Sequence, residues 1–173
     1  ISVQRLQSIL GENTQVIRAM PNTPALIQKG MTGLFASPQV SSAHKIFAAQ
    51  LMQAVGEMIW VEKESMIDAV IAASGSGPAY FFLFMEAMHA KATEMGFTDQ
   101  QAKQLILQTA LGSAEMVANN PDISIATLRE NVTSKGGTTA AALNTFNELG
   151  LTETVAKAMQ AAADRGAEME SLF

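Results

Sequence analysis

Cysteine is absent from the 173 residues, which excludes disulfides, thiolate metal ligands and a cysteine nucleophile. A reducing compartment fits that absence, with the cytoplasm as the default. Basic runs are missing too: Lys and Arg total 11 against 16 Asp and Glu, a formal charge of −5. Nothing lays out a path for a phosphate backbone, so nucleic acid is not an expected partner. The most apolar stretch, Ala79 to Ala92, is broken by Glu86, His89 and Lys91 and falls short of the ~20 residues that a bilayer span needs. It reads as a buried helix of a soluble protein, with no membrane partner. The chain opens on Ile1 without a charged segment leading into an apolar one, so no targeting segment is read and a processed or truncated start is expected. Repeats and low-complexity tracts are also lacking.

What is present is apolar patterning. A composition 48% hydrophobic in a chain of this length allows roughly 70% of the unfolded surface to be buried, enough for a real core. Val3, Leu6, Ile9 and Leu10 lie at helical spacing before Gly11, predicting a short helix with a natural stop. Val16 to Met20 reads as a strand closed by Pro21, Asn22, Thr23 and Pro24, because two prolines three apart forbid regular pairing. Met31 to Ala36 and Met58 to Val61 read as further strands. Between them Val40 to Val55 reads as a helix that turns Ile46, Phe47, Leu51 and Val55 inward.

After Glu62 the apolar residues recur every three or four positions, predicting helix throughout. One helix spans Ser65 to Ala73, Ser74 to Pro78 interrupts it, and Ala79 to Met95 resumes with apolar residues on nearly every side, as at a core or an interface. Ala102, Leu105, Ile106, Thr109, Ala110, Ser113, Ala114 and Val117 form a stripe whose small residues admit a close neighbouring helix. Short and long helices follow at Ser124 to Val132, Thr138 to Leu149 and Thr152 to Met169, the last turning Val155, Ala158, Met159, Ala162 and Met169 inward. The eleven methionines are read as packing, and with the apolar helix at Ala79 they suit a helical subunit interface.

The most informative segment is Leu128-Arg129-Glu130-Asn131-Val132-Thr133-Ser134-Lys135-Gly136-Gly137-Thr138-Thr139. Glycines let the backbone turn sharply, and exposed N–H groups at the following helix start suit an anion such as a carboxylate. On local chemistry alone the simpler reading is a helix stop followed by a Ser/Thr cap. This segment, continuing to Ala142-Leu143 and Phe146-Asn147, resembles the signature of pyrroline-5-carboxylate reductases. So do Arg18-Ala19-Met20-Pro21-Asn22-Thr23-Pro24, and Asp68-Ala69-Val70 leading to Ser74-Gly75-Ser76-Gly77-Pro78-Ala79-Tyr80. Lys135 and Ile125 stand where that family commonly has proline. No G-x-G-x-x-G occurs, and Ser74 to Gly77 is read as a packing turn between helices instead. The chain thus resembles a family member without roughly the first half of its dinucleotide-binding domain.

The resemblance implies an α/β remnant of a Rossmann-type domain at 1–61, followed by an all-α dimerisation and substrate-binding domain at 62–173. It implies a homodimer or higher homo-oligomer in which the helical domain interlocks with a second subunit. It also implies reduction of 1-pyrroline-5-carboxylate to L-proline with NADPH or NADH. Thr139 corresponds to the catalytic position. Glu64, Asn131, Val132, Ser134, Gly137, Thr138 and Thr139 correspond to substrate-binding positions, and Met20, Pro21, Asn22, Glu64 and Asn131 to cofactor-binding ones. Without the resemblance, Glu64 with Asp68 one turn later reads as a solvated acidic edge. Two other classes stand beside this reading: a non-catalytic helical assembly fragment, and a reductase of another imine or of a hydroxy acid. No metal site is expected, since Glu86 and His89 form an E-x-x-H pair that a di-iron bundle would need twice, with two further carboxylates. His44 is expected on a helix surface or at a cap.

Overall fold

Ser2 and Gly11 bracket the first helix as their chemistry dictates. In the structure, a computed structural model that describes residues 1–171, α1 spans Val3–Leu10; the Ser2 side chain accepts the Arg5 N–H, and Gly11 closes the helix at φ 109°. Strand β1, Ile17–Pro21, ends on a residue without an N–H, and Pro24 lies in the first turn of the short 3₁₀ segment Thr23–Ile27. Strand β2, Gly30–Ala36, pairs antiparallel with β1 and parallel with β3, Gly56–Trp60. The order is β1-β2-β3, and helix α2, Ser42–Gln53, makes the crossover that parallel neighbours require. Ser41 caps α2 on the backbone N–H of His44, whose ring bonds the Gln15 side chain at 2.8 Å, a surface and capping position.

The core lies on one face of this sheet. Val61, Ile67 and Val70 are buried together, with Met20, Phe35 and Ile71 packed against them. Helix α3, Met66–Val70, approaches β2 closely because residue 33 is glycine: a Cβ there would sit 2.7 Å from both methyls of Val70. The helix does not break at Ser74. It widens into a π turn over Ile71–Gly75, with the Ser76 N–H donating to the Ile71 carbonyl, and continues as α4, Gly77–Glu94. Gly75 faces Met20, whose methyl would lie 2.8 Å from a Cβ, whereas a Cβ at Gly77 would meet nothing within 4 Å, so packing accounts for the first of the two glycines.

Two compact units divide the chain. The first is Ile1–Tyr80 with the chain from Ala156 onward; the second is Phe81–Val155. The second unit carries most of α4, then α5, Asp99–Ala118, α6, Ile125–Asn131, α7, Thr138–Glu148, and the start of α8, Leu151–Ser171. Thr98 and Gln101 form a reciprocal capping box on α5, and Ser124 caps α6. The Phe84 and Phe146 rings lie 6.0 Å apart.

Several faces expected to be buried are open. Ile46, Phe47 and Leu51 on α2 are more than half exposed, as are Phe81, Phe82 and Leu83 on α4. Of the α5 stripe only Ala102 is fully buried, and on α8 Val155, Ala158 and Met169 are exposed while Met159 and Ala162 are half-buried. Helical spacing reports that a face is apolar; it does not report that this chain holds the surface to cover it. The apolar stretch is also longer than Ala79 to Ala92. Continuous from Met66 to Glu94, its 29 residues are long and apolar enough to cross a bilayer by length and composition, a property shared with core helices of soluble proteins.

Candidate functional site

In the second unit, α6 runs to Asn131 and the chain turns through Val132 and Gly136, the latter at φ 73°. Gly137, in extended backbone, is the cap residue of α7, and no side chain bonds the first turn. The expected Ser/Thr cap is therefore not formed. A Cβ at Gly137 would meet the Ser134 hydroxyl, which can rotate away, and would lie 3.2 Å from the Ser134 carbonyl oxygen, so a side chain there is crowded. The N–H groups at the helix start remain open, at the positive end of its dipole, an arrangement that receives a carboxylate. Asn131, Val132, Ser134 and Thr138 are exposed and Thr139 is half-buried.

Hydroxyl partners separate the threonines of this unit. Thr93, Thr133 and Thr145 each donate to a carbonyl four residues earlier. Thr154 does the same. Among the described residues Thr138 and Thr139, like Thr109 and Thr152, have no such bond; what sets the first two apart is their place at the uncapped terminus, where both hydroxyls can meet a ligand. A neighbouring cavity of about 230 Å³ is lined by Arg129, Glu130, Thr133, Leu143, Asn144 and Asn147, none of them in the 137–139 turn.

The first unit holds Met20, Pro21, Asn22 and Glu64. Asn22 ties the end of β1 to its surroundings: its Nδ2 donates to the Ser74 carbonyl (3.1 Å) and hydroxyl (3.2 Å), and its Oδ1 accepts the Met31 N–H at 2.8 Å. Its amide is thus spent on fixing the loop. Met20 is half-buried, beside a cavity of about 510 Å³ that also touches Arg18, Ile71, Met169 and Glu170, while Pro21 is exposed.

Glu64 is not a solvated edge. Its Oε1 accepts the Val3 N–H at 2.8 Å and Arg18 Nη1 at 2.9 Å, and the same Nη1 reaches Glu170 Oε2 at 2.9 Å. Burial alone would push the Arg18 guanidinium down, yet its bonds to Glu170 and Glu64 leave it above its ordinary value. Sequence reading passed over Arg18, although it stands in a quoted motif, and Glu170, 152 residues away, gives no local signal. Asp68 completes the group. Its Oδ1 is buried without a hydrogen-bond partner, 3.1 Å from where a Gly166 Cβ would lie.

Burial pushes the Asp68 carboxyl above the usual carboxylate range, and the charges of Glu170 and Glu64 add to that against the opposing pull of Arg18. The folded state thus binds this proton more tightly than the unfolded chain does. Stability from it is fully present below the ordinary carboxylate pKa and is lost as pH rises through the raised folded value. Asp68→Asn is therefore expected to raise Tm relative to the parent more at about pH 7 than at about pH 4, in paired thermal unfolding scans. An equal difference at both pH values would contradict the assignment.

Among the described residues no group of three or more His, Asp or Glu is arranged for a metal. His89 instead turns to Asp99, 3.2 Å from its carboxylate.

The family model for pyrroline-5-carboxylate reductase dimerisation matches residues 64–169. The chain is 57% identical to the pyrroline-5-carboxylate reductase of Vibrio alginolyticus over all 173 residues, covering 64% of that protein. It is 51% identical to the enzyme of Pasteurella multocida, covering 63% of it. Among solved structures, a pyrroline-5-carboxylate reductase from Coxiella burnetii matches with a TM-score of 0.92 at 42% identity, over 96% of this chain and 62% of that one. The Plasmodium falciparum pyrroline carboxylate reductase, crystallised with NADP bound, matches with a TM-score of 0.90 at 31% identity, over 98% of this chain and 67% of that one. The chain thus spans somewhat less than two thirds of the curated relatives' length.

Proposed function

Since the chain belongs to the pyrroline-5-carboxylate reductase family, we propose that the protein containing it reduces 1-pyrroline-5-carboxylate to L-proline in the cytoplasm. The observation that carries this reading is the uncapped start of α7, where open N–H groups adjoin the unpartnered hydroxyls of Thr138 and Thr139. The N–H groups of Thr138 and Thr139 would hold the substrate carboxylate, that of Gly137 being bonded to the Ser134 carbonyl at 3.0 Å, with Asn131, Val132 and Ser134 around the ring.

A protonated cyclic imine is electrophilic at carbon five without any covalent activation by the protein. Hydride addition there converts the C=N bond to an amine, with the proton residing on the ring nitrogen. The Thr139 hydroxyl would hold that proton in place or relay it through water. Positioning is then the main work, worth ~7 to 11 kcal/mol of barrier in favourable systems.

Bound NADPH or NADH supplies the hydride. The residues present fit its nicotinamide end: Pro21 is exposed at a strand terminus, and Asn22 locks the loop from both sides. Met20, Pro21, Asn22 and Glu64 would border the ring, and Asn131 carries the family's further cofactor position on the helical domain. A glycine-rich phosphate turn is not in this sequence. We assign 1–61 to the dinucleotide-binding domain and 62–173 to the helical domain. The open faces of α4, α5 and α8 are assigned to contact with further copies in a homodimer or larger ring.

The test is a coupled assay of the full-length protein with pyrroline-5-carboxylate and each reduced nicotinamide cofactor. Formation of proline with consumption of the cofactor's near-ultraviolet absorbance is expected. No turnover with either cofactor would refute the reading.

A further inference from the structure

A single guanidinium in the first unit is asked to serve two carboxylates, and the two carboxylates come from different parts of the chain. Arg18 lies on β1 with its side chain only 17% exposed, and its Nη1 is 2.9 Å from both Glu64 and Glu170. Glu64 precedes α3, whereas Glu170 sits in the last turn of α8. Glu64 has one further anchor, the Val3 N–H at the start of α1. Both anchors fall on the same oxygen, Oε1. No hydrogen bond among the described residues ends on Oε2, so the carboxylate is clamped by one oxygen and free at the other.

We infer that Arg18 is a positioning residue for the reaction: it fixes the orientation of the Glu64 carboxylate so that its second oxygen meets the ligand. This rests on the reading that Glu64 borders substrate and nicotinamide. The geometry favours a clamp over a simple surface pair for two reasons. The guanidinium is largely removed from water, where a charge-assisted bond is worth more. Its neighbours are also crowded with like charge, since Glu64, Glu170 and Asp68 surround one cation. Without Arg18, the Glu64 side chain would be repelled by the other two and would keep only a backbone N–H.

Glu170 has a different role in the same cluster. It ties the end of α8 to β1, and breaking that tie leaves the Glu64 clamp intact. The two roles can therefore be separated by kinetics.

The experiment compares R18Q, R18K, E64Q, E170Q and the double variant R18Q/E64Q in the full-length protein, reading KM for pyrroline-5-carboxylate, kcat and Tm. R18Q is expected to raise KM about tenfold, as E64Q does. The double variant should be no worse than the poorer single one, since both remove one interaction. R18K, which keeps a cation, should fall between R18Q and the parent. E170Q should lower Tm while kcat and KM stay within about twofold.

Equal kinetics for R18Q and E170Q would overturn the inference, because a shared structural tie would then explain both. If E64Q raises KM and R18Q does not, the clamp is wrong and the reading of Glu64 stands. If E64Q changes nothing, the reading of Glu64 falls and takes the clamp with it. Should R18Q fail to fold by circular dichroism, R18K decides in its place: a KM no higher than that of E170Q overturns the inference.

Discussion

Thr139→Ala is expected to lower kcat of the full-length protein about a hundredfold, the lower end of what a positioned proton donor contributes. Thr139→Val should do the same, and Thr139→Ser should retain most activity. The expectation follows from where the hydroxyl is. Residue 139 sits in the first turn of α7, behind a glycine cap that no side chain completes. Thr93, Thr133, Thr145 and Thr154 bond their hydroxyls to the helix carbonyl of the preceding turn, and Thr139 does not. Removing it therefore breaks no internal bond. Stability should not fall, because alanine is the better helix former. Loss of rate without loss of Tm is the signature of a hydroxyl that meets the substrate, and single-turnover kinetics would place the loss in the chemical step. A kcat unchanged in Thr139→Val would sink the proposed role, since valine keeps the shape and removes only the oxygen.

How much of this was legible in the sequence depends on how far apart the partners lie. Ser2 and Ser124 opened predicted helices, whereas Ser41 and Thr98 went unread; the side chain of each accepts the backbone N–H three residues on. Gly136 and Gly137 likewise marked the turn into α7. The π turn was half legible. Ser74 to Pro78 suggested a break, yet the helix runs on: Pro78 has no N–H for the Ser74 carbonyl four residues before it, and Asn22 Nδ2 bonds that carbonyl instead at 3.1 Å. One extra residue at Ile71–Gly75 then keeps the helix continuous.

Non-local pairs left no trace. Asn22 meets Ser74 across 52 residues and Arg18 meets Glu170 across 152, distances at which spacing carries no information. Glu64 looked like a solvated edge for the same reason, its anchors being 61 and 46 residues away. The open faces failed differently. Ile46, Phe47 and Leu51 are patterned for burial, and the pattern is right about their chemistry while silent about what covers them.

Gly56→Ala is expected to be the most destabilising single change in the first unit, by about 3 kcal/mol or more against a typical total of ~5 to 15. Gly56 opens β3 opposite Gly30 in the parallel pairing, at φ 149°. A Cβ there would overlap the backbone nitrogen, carbonyl carbon and oxygen of Gly30. Backbone on both sides cannot rotate away as a side chain can, so the strands must part. Gly30 has no room to retreat, because a Cβ on it would already meet Ala25 at 2.8 Å, and its own N–H is held by the Val55 carbonyl at 2.9 Å.

Gly96→Ala isolates the torsional part of this cost. Gly96 has φ 103° and no atom within 4 Å of the added carbon, so strain of ~1–2 kcal/mol is all it should lose. The excess for Gly56→Ala, read from urea midpoints of the two variants, is the price of crowding. Activity should follow stability in Gly56→Ala alone. Parting the start of β2 from β3 shifts Met31, whose N–H holds the Asn22 side chain; the loop proposed to border the nicotinamide would lose that anchor. Matching urea midpoints for the two variants would mean the strands yield where the structure leaves them no space.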